Sequence, residues 1–338
     1  MPVNEQLLDE SLLNALDVQA VSAGLLLAYL EDLRALQTQL QIEVLNTFFN
    51  QGRNLRDESS VRDLISRLAV KIDAVLDALA ARFEADAEQV AVIEEERQRQ
   101  VLWLLLGVTA AQGSAASALA AAAIAGVTIA DAIHRLAEDL KYRVAGTIRR
   151  GVAQGATPSE LASTLVHGGG VGEDAPILNP TMRGLGVLVL TQTKGVAESA
   201  RGSVVENSLP ALKQKITVGW QHLSVIDGRT SNICLRRAFK TWDVDRQPIG
   251  HALPFAQPPL HPHCRSVLRI ADLSADAVPE FTFRQWAERV GTSRLRSVFG
   301  AGRTSLWQSG GISDEELLRG RSGISLEEFR QRAQNWKP

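Results

Sequence analysis

Both cysteines of the chain, Cys234 and Cys264, and four of its six histidines fall between Trp220 and Ile270. Thiols and imidazoles at this density raise the question of a metal, because zinc is held tetrahedrally by sulfur and nitrogen. The candidate ligands are Cys234, His261, His263 and Cys264, with His251 or Asp227 in reserve, and zinc is the candidate cofactor. No C-x2-C or H-x3-H pair supplies a ready chelate. Three other readings use the same residues. A Cys234–Cys264 disulfide would staple the segment and suits an oxidising compartment. A Cys–His nucleophile pair requires a depressed thiol pKa, an oxyanion hole and a cleft. The leading reading is a structural polar cluster, in which Asp227, Arg229, Thr230 and Arg265 satisfy one another beside buried imidazoles.

These side chains need elements to hold them. Asp227-Gly228 is a turn dipeptide, with the carboxylate accepting backbone hydrogen bonds and glycine taking the positive φ. Arg229 and Thr230 then begin a short helical turn to Cys234, near whose start Asp227 would accept orphan N–H groups. Prolines 254, 258, 259 and 262 predict an extended run, since proline lacks a donor and restricts the residue before it. An extended His261-Pro262-His263 puts the two imidazoles on one side and Cys264 on the other. Lys213 to Leu223 alternates with the period of a strand, and Val267 to Ile270 reads as a second.

Most of the chain before Val171 reads as helix. Leu26, Leu30, Leu33, Leu40, Val44 and Phe48 recur at helical spacing. After a turn at Gln51-Gly-Arg-Asn54, a near-heptad seam runs through Val61, Ile65, Leu68, Ile72, Val75 and Leu79 to Phe83, Ala87, Val90 and Ile93. It predicts a helical hairpin or bundle packed within one chain, with self-association between copies as the alternative. Residues 101–130 carry no charge and have the length of a membrane span. Gly107, Thr109, Gln112, Gly113, Ser114 and Ser117 interrupt the run, so the preferred reading is a small-residue helix pair buried in the bundle. A membrane-active ejection segment is the alternative.

Asp131 to Arg150 is a helix with a solvated basic face, broken by Gly151-Val-Ala-Gln-Gly155. Thr157-Pro158-Ser159-Glu160 opens the next one with a capping box. Thr181 to Asn207 follows, with Leu185, Leu188, Val189, Gln192, Val196 and Ala200 facing inward. The tail carries short helices and a local excess of arginine at 284, 289, 294, 296 and 303, the best candidate for weak contact with DNA. The fold class is therefore mainly α with a small α+β module. Its expected parts are a helical hairpin or bundle over 1–130, a compact mixed domain over 131–275 and a short helical tail over 276–338.

With 338 residues the chain can bury a sizeable core. A formal charge of -2 excludes a surface built throughout for nucleic acid. Two cysteines exclude a disulfide scaffold, and the first residues show no secretory signal pattern, so the chain is expected to stay in the cytoplasm unless an assembly carries it out.

Two boxes in the central stretch carry a resemblance. Trp220, Asp227, Arg229, Thr230, Ser231 and Cys234, followed by Pro258, Pro259, His261, Pro262, Cys264, Arg265 and Ser266, resemble the phage Mu protein F-like family of minor head (head morphogenesis) proteins. Ile148 to Gly155 with Thr157-Pro-Ser-Glu-Leu is similar to the family's glycine-bounded helix pair. Leu190-Thr-Gln-Thr193 is similar to its Arg-Thr-Glu helix start, with Gln192 in place of the acid. The likeness spans roughly 125–338 and extends to Gly300–Arg319 and Ile324-Ser-Leu-Glu-Glu.

The resemblance implies a virion component of the head or neck, assembled in the host cytoplasm and present in few copies. Its implied partners are the portal protein and the major capsid protein, and its role lies in head assembly or DNA delivery. No enzymatic activity follows from it, and the small, polar-interrupted composition of 101–130 leads us to expect no stable membrane insertion. The competing hypothesis from the residues is a metal-dependent enzyme built on Cys234, His261, His263 and Cys264.

Overall fold

The computed structural model describes residues 2–49, 57–121, 127–168, 176–224, 230–275, 281–319 and 323–336. The fold is mainly α with a small α+β module. In chain order the elements are α1 (Val3–Phe49), α2 (Glu58–Leu106), α3 (Ala115–Ala121), α4 (Ile129–Ala153), α5 (Pro158–His167), α6 (Asn179–Asn207) and α7 (Leu209–Leu212). Then follow β1 (Val218–Leu223), α8 (Asn232–Leu235), β2 (Thr241–Asp243), β3 (Pro248–Ile249) and β4 (Val267–Asp272). The chain closes with α9 (Phe283–Phe299), α10 (Ala301–Gln308), α11 (Asp314–Arg319) and α12 (Leu326–Gln334). The turn expected at 51–54 lies outside the described residues.

These elements form two compact units that do not follow chain order. The first comprises Met1–Leu25, Asp86–Ile124 and Leu190–Pro338; the second comprises Leu26–Ala85 and Ala125–Val189. α1, α2 and α6 each contribute one part to either unit.

The second unit is a helical layer around a leucine seam. From α2 it buries Val61, Leu64, Leu68, Ile72, Leu76, Leu79 and Phe83, and from α1 Tyr29, Leu33, Leu36, Leu40 and Val44. From Val61 to Phe83 the steps along α2 are 3, 4, 4, 4, 3 and 4. The expected heptad positions Ile65 and Val75 are only half-buried, and Leu64 and Leu76 take the seam. Glu43 pairs with Arg67 and Lys71 across the two helices, and Asp32 pairs with Arg82. α4 begins at a capping box of Thr128 and Asp131, and α5 at the expected one of Thr157 and Glu160. The helix break expected over Gly151–Gly155 is present: α4 ends at Ala153, Gln154 is its C-cap and Gly155 takes a φ of 75°. Gly151 itself lies inside the last turn of α4, where a Cβ would lie 2.2 Å from the Leu161 side chain, so glycine there lets α5 pack closely. Lys141 and Arg143, part of the basic face, pair with Asp73, Glu138 and Asp139.

The first unit is built on an antiparallel sheet in the order β3-β2-β1-β4. All six residues of β1 are buried, so both faces of the sheet are covered. Val218 and Trp220 on one face pack with Trp242, Leu268, Ile270 and Trp336 and with Val101 and Leu102 of α2. Leu223 and Val267 belong to the other core, with Leu8, Leu12 and Leu16 of α1 and Phe283, Trp286, Trp307 and Leu318 of the C-terminal helices. Trp220 stands opposite Ile270 and Trp242, which sets the register. Gly219 is required here, since a Cβ would meet the Leu273 side chain at 2.6 Å. β1 is shorter than the alternation from Lys213 suggested, because α7 and its turns occupy the start of that stretch.

The reading of 101–130 as a buried helix pair is corrected. α2 ends at Leu106, Gly107 takes a φ of 63°, and residues 107–114 are coil before the short α3. Trp103 is 59% and Leu104 43% exposed. The small residues serve a close approach, but of coil: Gly113 faces Glu95 and Ser203, where a Cβ would lie within 2.8 Å of their side chains. The Ala111 N–H donates to Ser208 Oγ at 2.9 Å. Among the described residues, the helix long and apolar enough to cross a membrane is α1, and 67% of its apolar window is buried in protein.

Candidate metal centre

The two boxes of the central stretch meet in the first unit. α8 presents Cys234 from its single turn, and the cap of that turn is Ser231, whose Oγ accepts the Cys234 N–H at 3.4 Å. Asp227 and Arg229, expected to cap and brace this turn, lie outside the described residues. Thr230 and Arg265 are described, and both border a small cavity beside the two boxes. From the other box come His261 and Cys264. Cys234 Sγ lies 3.2 Å from His261 Nε2 and 3.7 Å from Cys264 Sγ. All three ligand atoms fall within 4.8 Å of one another, and both thiols are free and buried.

The expectation of an extended His261-Pro262-His263 is corrected, and the correction is what assembles the cluster. The segment is a turn: the Cys264 N–H donates to the His261 carbonyl at 3.1 Å, and His263 has a φ of 58°. Proline's fixed φ suits the first inner position of such a turn. The reversal brings Cys264 back onto the side of His261, while His263 borders the cavities beside them. His263 is exposed, its N–H donates to Thr191 Oγ1 at 3.2 Å, and it stands outside the Cys234–His261–Cys264 group. His251, the reserve ligand, is engaged elsewhere, at 2.8 Å from the Thr241 carbonyl and edge-on to Trp242.

Hydrogen bonds around the group fix its chemistry. His261 Nδ1 lies 2.7 Å from the Pro262 carbonyl. A carbonyl only accepts, so Nδ1 carries the proton and Nε2 presents a lone pair to Cys234 and to Ser231 Oγ at 2.7 Å. Ser224 Oγ ties the two boxes, at 2.8 Å from Ser266 Oγ and 3.1 Å from the Cys234 carbonyl. The two sulfurs are within hydrogen-bond reach of each other. The hydrogen bond from Cys234 draws the Cys264 thiol down, helped by the Lys194 charge and by backbone donors at Leu260 and Ser266, while the same bond and burial push Cys234 up.

Buried ionisable groups back this centre. Lys194 on α6 is pushed down by burial, against the pull of Glu198. Glu198, one turn on, is pushed up by burial and accepts the Leu268 N–H at 3.0 Å, which ties α6 to β4. His222 is fully buried and held neutral, its pKa lowered to about 3 by burial and then by the Arg237 and Lys194 charges. A cleft of about 540 Å³ opens beside the centre, lined by Lys194, Ser231, His261, His263, Cys264 and Arg265 opposite Leu16 and Val18 of α1. A separate cavity of about 20 Å³ is bounded by Ser224, Ser231, Cys234, His261 and Ser266.

Sequence reasoning missed Ser224, His222, Lys194 and Glu198. The Lys194–Glu198 pair, one turn apart on a predicted helix, was the available signal. The arginines proposed for DNA are largely engaged within the chain. Arg289 pairs with Asp9, Arg284 with Asp314, and Arg303 donates to the carbonyls of Glu316 and Leu317. No family model, no curated protein and no solved structure matches this chain.

Proposed function

We propose that the chain is a minor head protein of a phage particle, acting by assembly with the portal and not by catalytic turnover. The observation that carries this reading is the fusion of the two boxes into one module. The residues that resemble the Mu F-like family, Ser231 and Cys234 in one box and His261, Cys264 and Ser266 in the other, contact one another directly or through Ser224. The motif is thus the architecture of a small domain whose polar groups satisfy one another.

Exposed apolar side chains on the long helices supply the means of association. Ile42 and Phe49 of α1, Val70 of α2, and Trp103 and Leu104 at the end of α2 are each at least 43% exposed. Contacts of this kind are insensitive to ionic strength, whereas phosphate binding by lysine and arginine weakens steeply with salt.

The test is co-expression of the full chain with the portal protein of the same particle, followed by size exclusion at low and high salt. Co-elution at both is the expected outcome. A complex that needs DNA, or that dissociates as salt rises, overturns the partner assignment.

A further inference from the structure

We propose that Cys234, His261 and Cys264 bind one zinc ion, with a water molecule in the fourth position. The inference is independent of the assembly reading and rests on three observations. First, the spacing suits the metal. Two sulfurs each about 2.3 Å from a tetrahedral zinc stand about 3.8 Å apart, and Cys234 Sγ and Cys264 Sγ are 3.7 Å apart. A sulfur and a nitrogen at their usual zinc distances stand about 3.5 Å apart, so the 3.2 Å between Cys234 Sγ and His261 Nε2 opens by a small side-chain movement.

Second, the imidazole is already in the ligating tautomer. Nδ1–H donates to the Pro262 carbonyl and Nε2 faces the thiols, the outer hydrogen bond that metal-bound histidines typically make. Third, there is room at the donors. The cavity of about 20 Å³ touches both Cys234 and His261 and is walled by the hydroxyls of Ser224, Ser231 and Ser266. A void of about 10–15 Å³ already admits a water, and these hydroxyls can hydrogen-bond a water on the metal. On binding, both thiols lose their protons to solvent, and the two thiolates balance the charge of Zn2+.

Two soft sulfurs, one imidazole and a three-ligand protein set select zinc over the hard cations, which take oxygen. The turn at 261–264 is what makes the site. It places His261 and Cys264 three residues apart on one side of the loop, and it excludes His263, which the order of residues alone would have included.

The experiment uses the full chain purified under reducing conditions, stripped by chelator and titrated with zinc against a competing indicator dye. The expected result is about one zinc per chain, with binding weakened at least about ten-fold in Cys264→Ser and His261→Ala and unchanged in His263→Ala. Should either ligand variant fail to fold, X-ray absorption on the zinc-loaded wild-type chain decides, since it counts ligands directly. Two sulfurs and one histidine nitrogen with a light fourth atom support the site. Failure of the wild-type chain to bind, a coordination shell without sulfur, or full retention of zinc in a folded Cys264→Ser overturns it. So does recovery of Cys234 and Cys264 as a disulfide from reduced preparations.

Discussion

In the second unit, residues 26–48 of α1 bury Tyr29, Leu33, Leu36, Leu40 and Val44 against an equally apolar stretch of α2. In the first unit the same two helices bury Glu10, Asn14, Asp17, Glu94, Arg97 and Gln98. Arg97 lies between Glu10 at 2.9 Å and Asp17 at 3.2 Å, and Asn14 donates to Glu94 at 2.6 Å. Arg201 of α6 completes the group, near Glu10, Glu94 and Glu198. The apolar seam stabilises without direction, since burial energy depends on area and not on orientation. The ionic interior gains little net energy, because desolvation offsets attraction, but it penalises any arrangement that separates a charge from its partner. The unit that carries the candidate zinc centre is therefore also the one in which α1, α2 and α6 meet through buried charge.

The largest expected effect comes from breaking that charge pairing. Arg97→Ala leaves Glu10 with only Arg201 at 3.9 Å and Asp17 with only Arg332 at 2.9 Å, and removing one side of a buried pair costs up to about 3–5 kcal/mol. All six tryptophans (103, 220, 242, 286, 307 and 336) lie in the first unit, so their fluorescence reports its unfolding without contribution from the second. The expected outcome is a urea midpoint for tryptophan fluorescence that falls sharply. A midpoint unchanged from wild type would show that the network stabilises nothing and that the contrast between the units is one of composition only.

A smaller effect, of opposite sign in the two units, follows from pH. Glu94 is fully buried, and burial raises its pKa to about 7, against the pull of Arg97 and Arg201. Between its ordinary value of 4.5 and about 7 the folded chain holds a proton that the unfolded chain has released. Stability is then full below that window and falls as pH rises through it, by about 1.4 kcal/mol per unit for a single group. Glu94→Gln removes this slope while keeping an acceptor for Asn14. In the second unit, the bonds from Arg67 and Lys71 outweigh burial at Glu43 and lower its pKa. Its contribution is present at neutral pH and lost as pH falls through the carboxylate range. Hydrogen exchange resolved by unit, compared between wild type and Glu94→Gln, separates the two. A parallel response of both units would contradict the assignment.

How much of this was legible in sequence differs in the same way. The leucine seam was readable because burial imposes a period, and even its error was small: Ile65 and Val75 gave way to their neighbours Leu64 and Leu76, with the same mean step. The charged interior was not readable, because Glu94 and Arg97 have the spacing of an ordinary solvated pair, and only the partner helices bury them. The candidate site was half legible. The residue types of Cys234, His261 and Cys264 announced a ligand set, and strand period located β1 and β4. What four prolines concealed was the turn, since proline favours extended backbone and also sits at the first inner position of a turn. A positive φ at a histidine is infrequent enough that nothing in the order of residues signals it.

The smallest expected effect belongs to the second unit's surface and tests whether a charge pair there differs from one in the first unit. Arg82 and Asp32 join α2 to α1 at 3.1 Å, but their side chains are 49% and 42% exposed. Water screens such a pair, and exposed pairs contribute about 0–1 kcal/mol. Arg82 also lies over the Tyr29 ring, 5.3 Å from its centre, a contact that adds about 0.5–1 kcal/mol at an exposed site. The two contributions are separable. Asp32→Asn removes the ion pair and keeps the ring contact, so its effect on hydrogen exchange of the α1 amides around Leu33 to Leu40 should stay within about 0.5 kcal/mol and vanish at high salt. Arg82→Ala removes both and should cost up to about 1.5 kcal/mol, with a part that persists in salt. Were Asp32→Asn instead to approach the loss expected for Arg97→Ala, the pair would be acting as a buried one. Exposure would then not be what distinguishes the two ends of these helices.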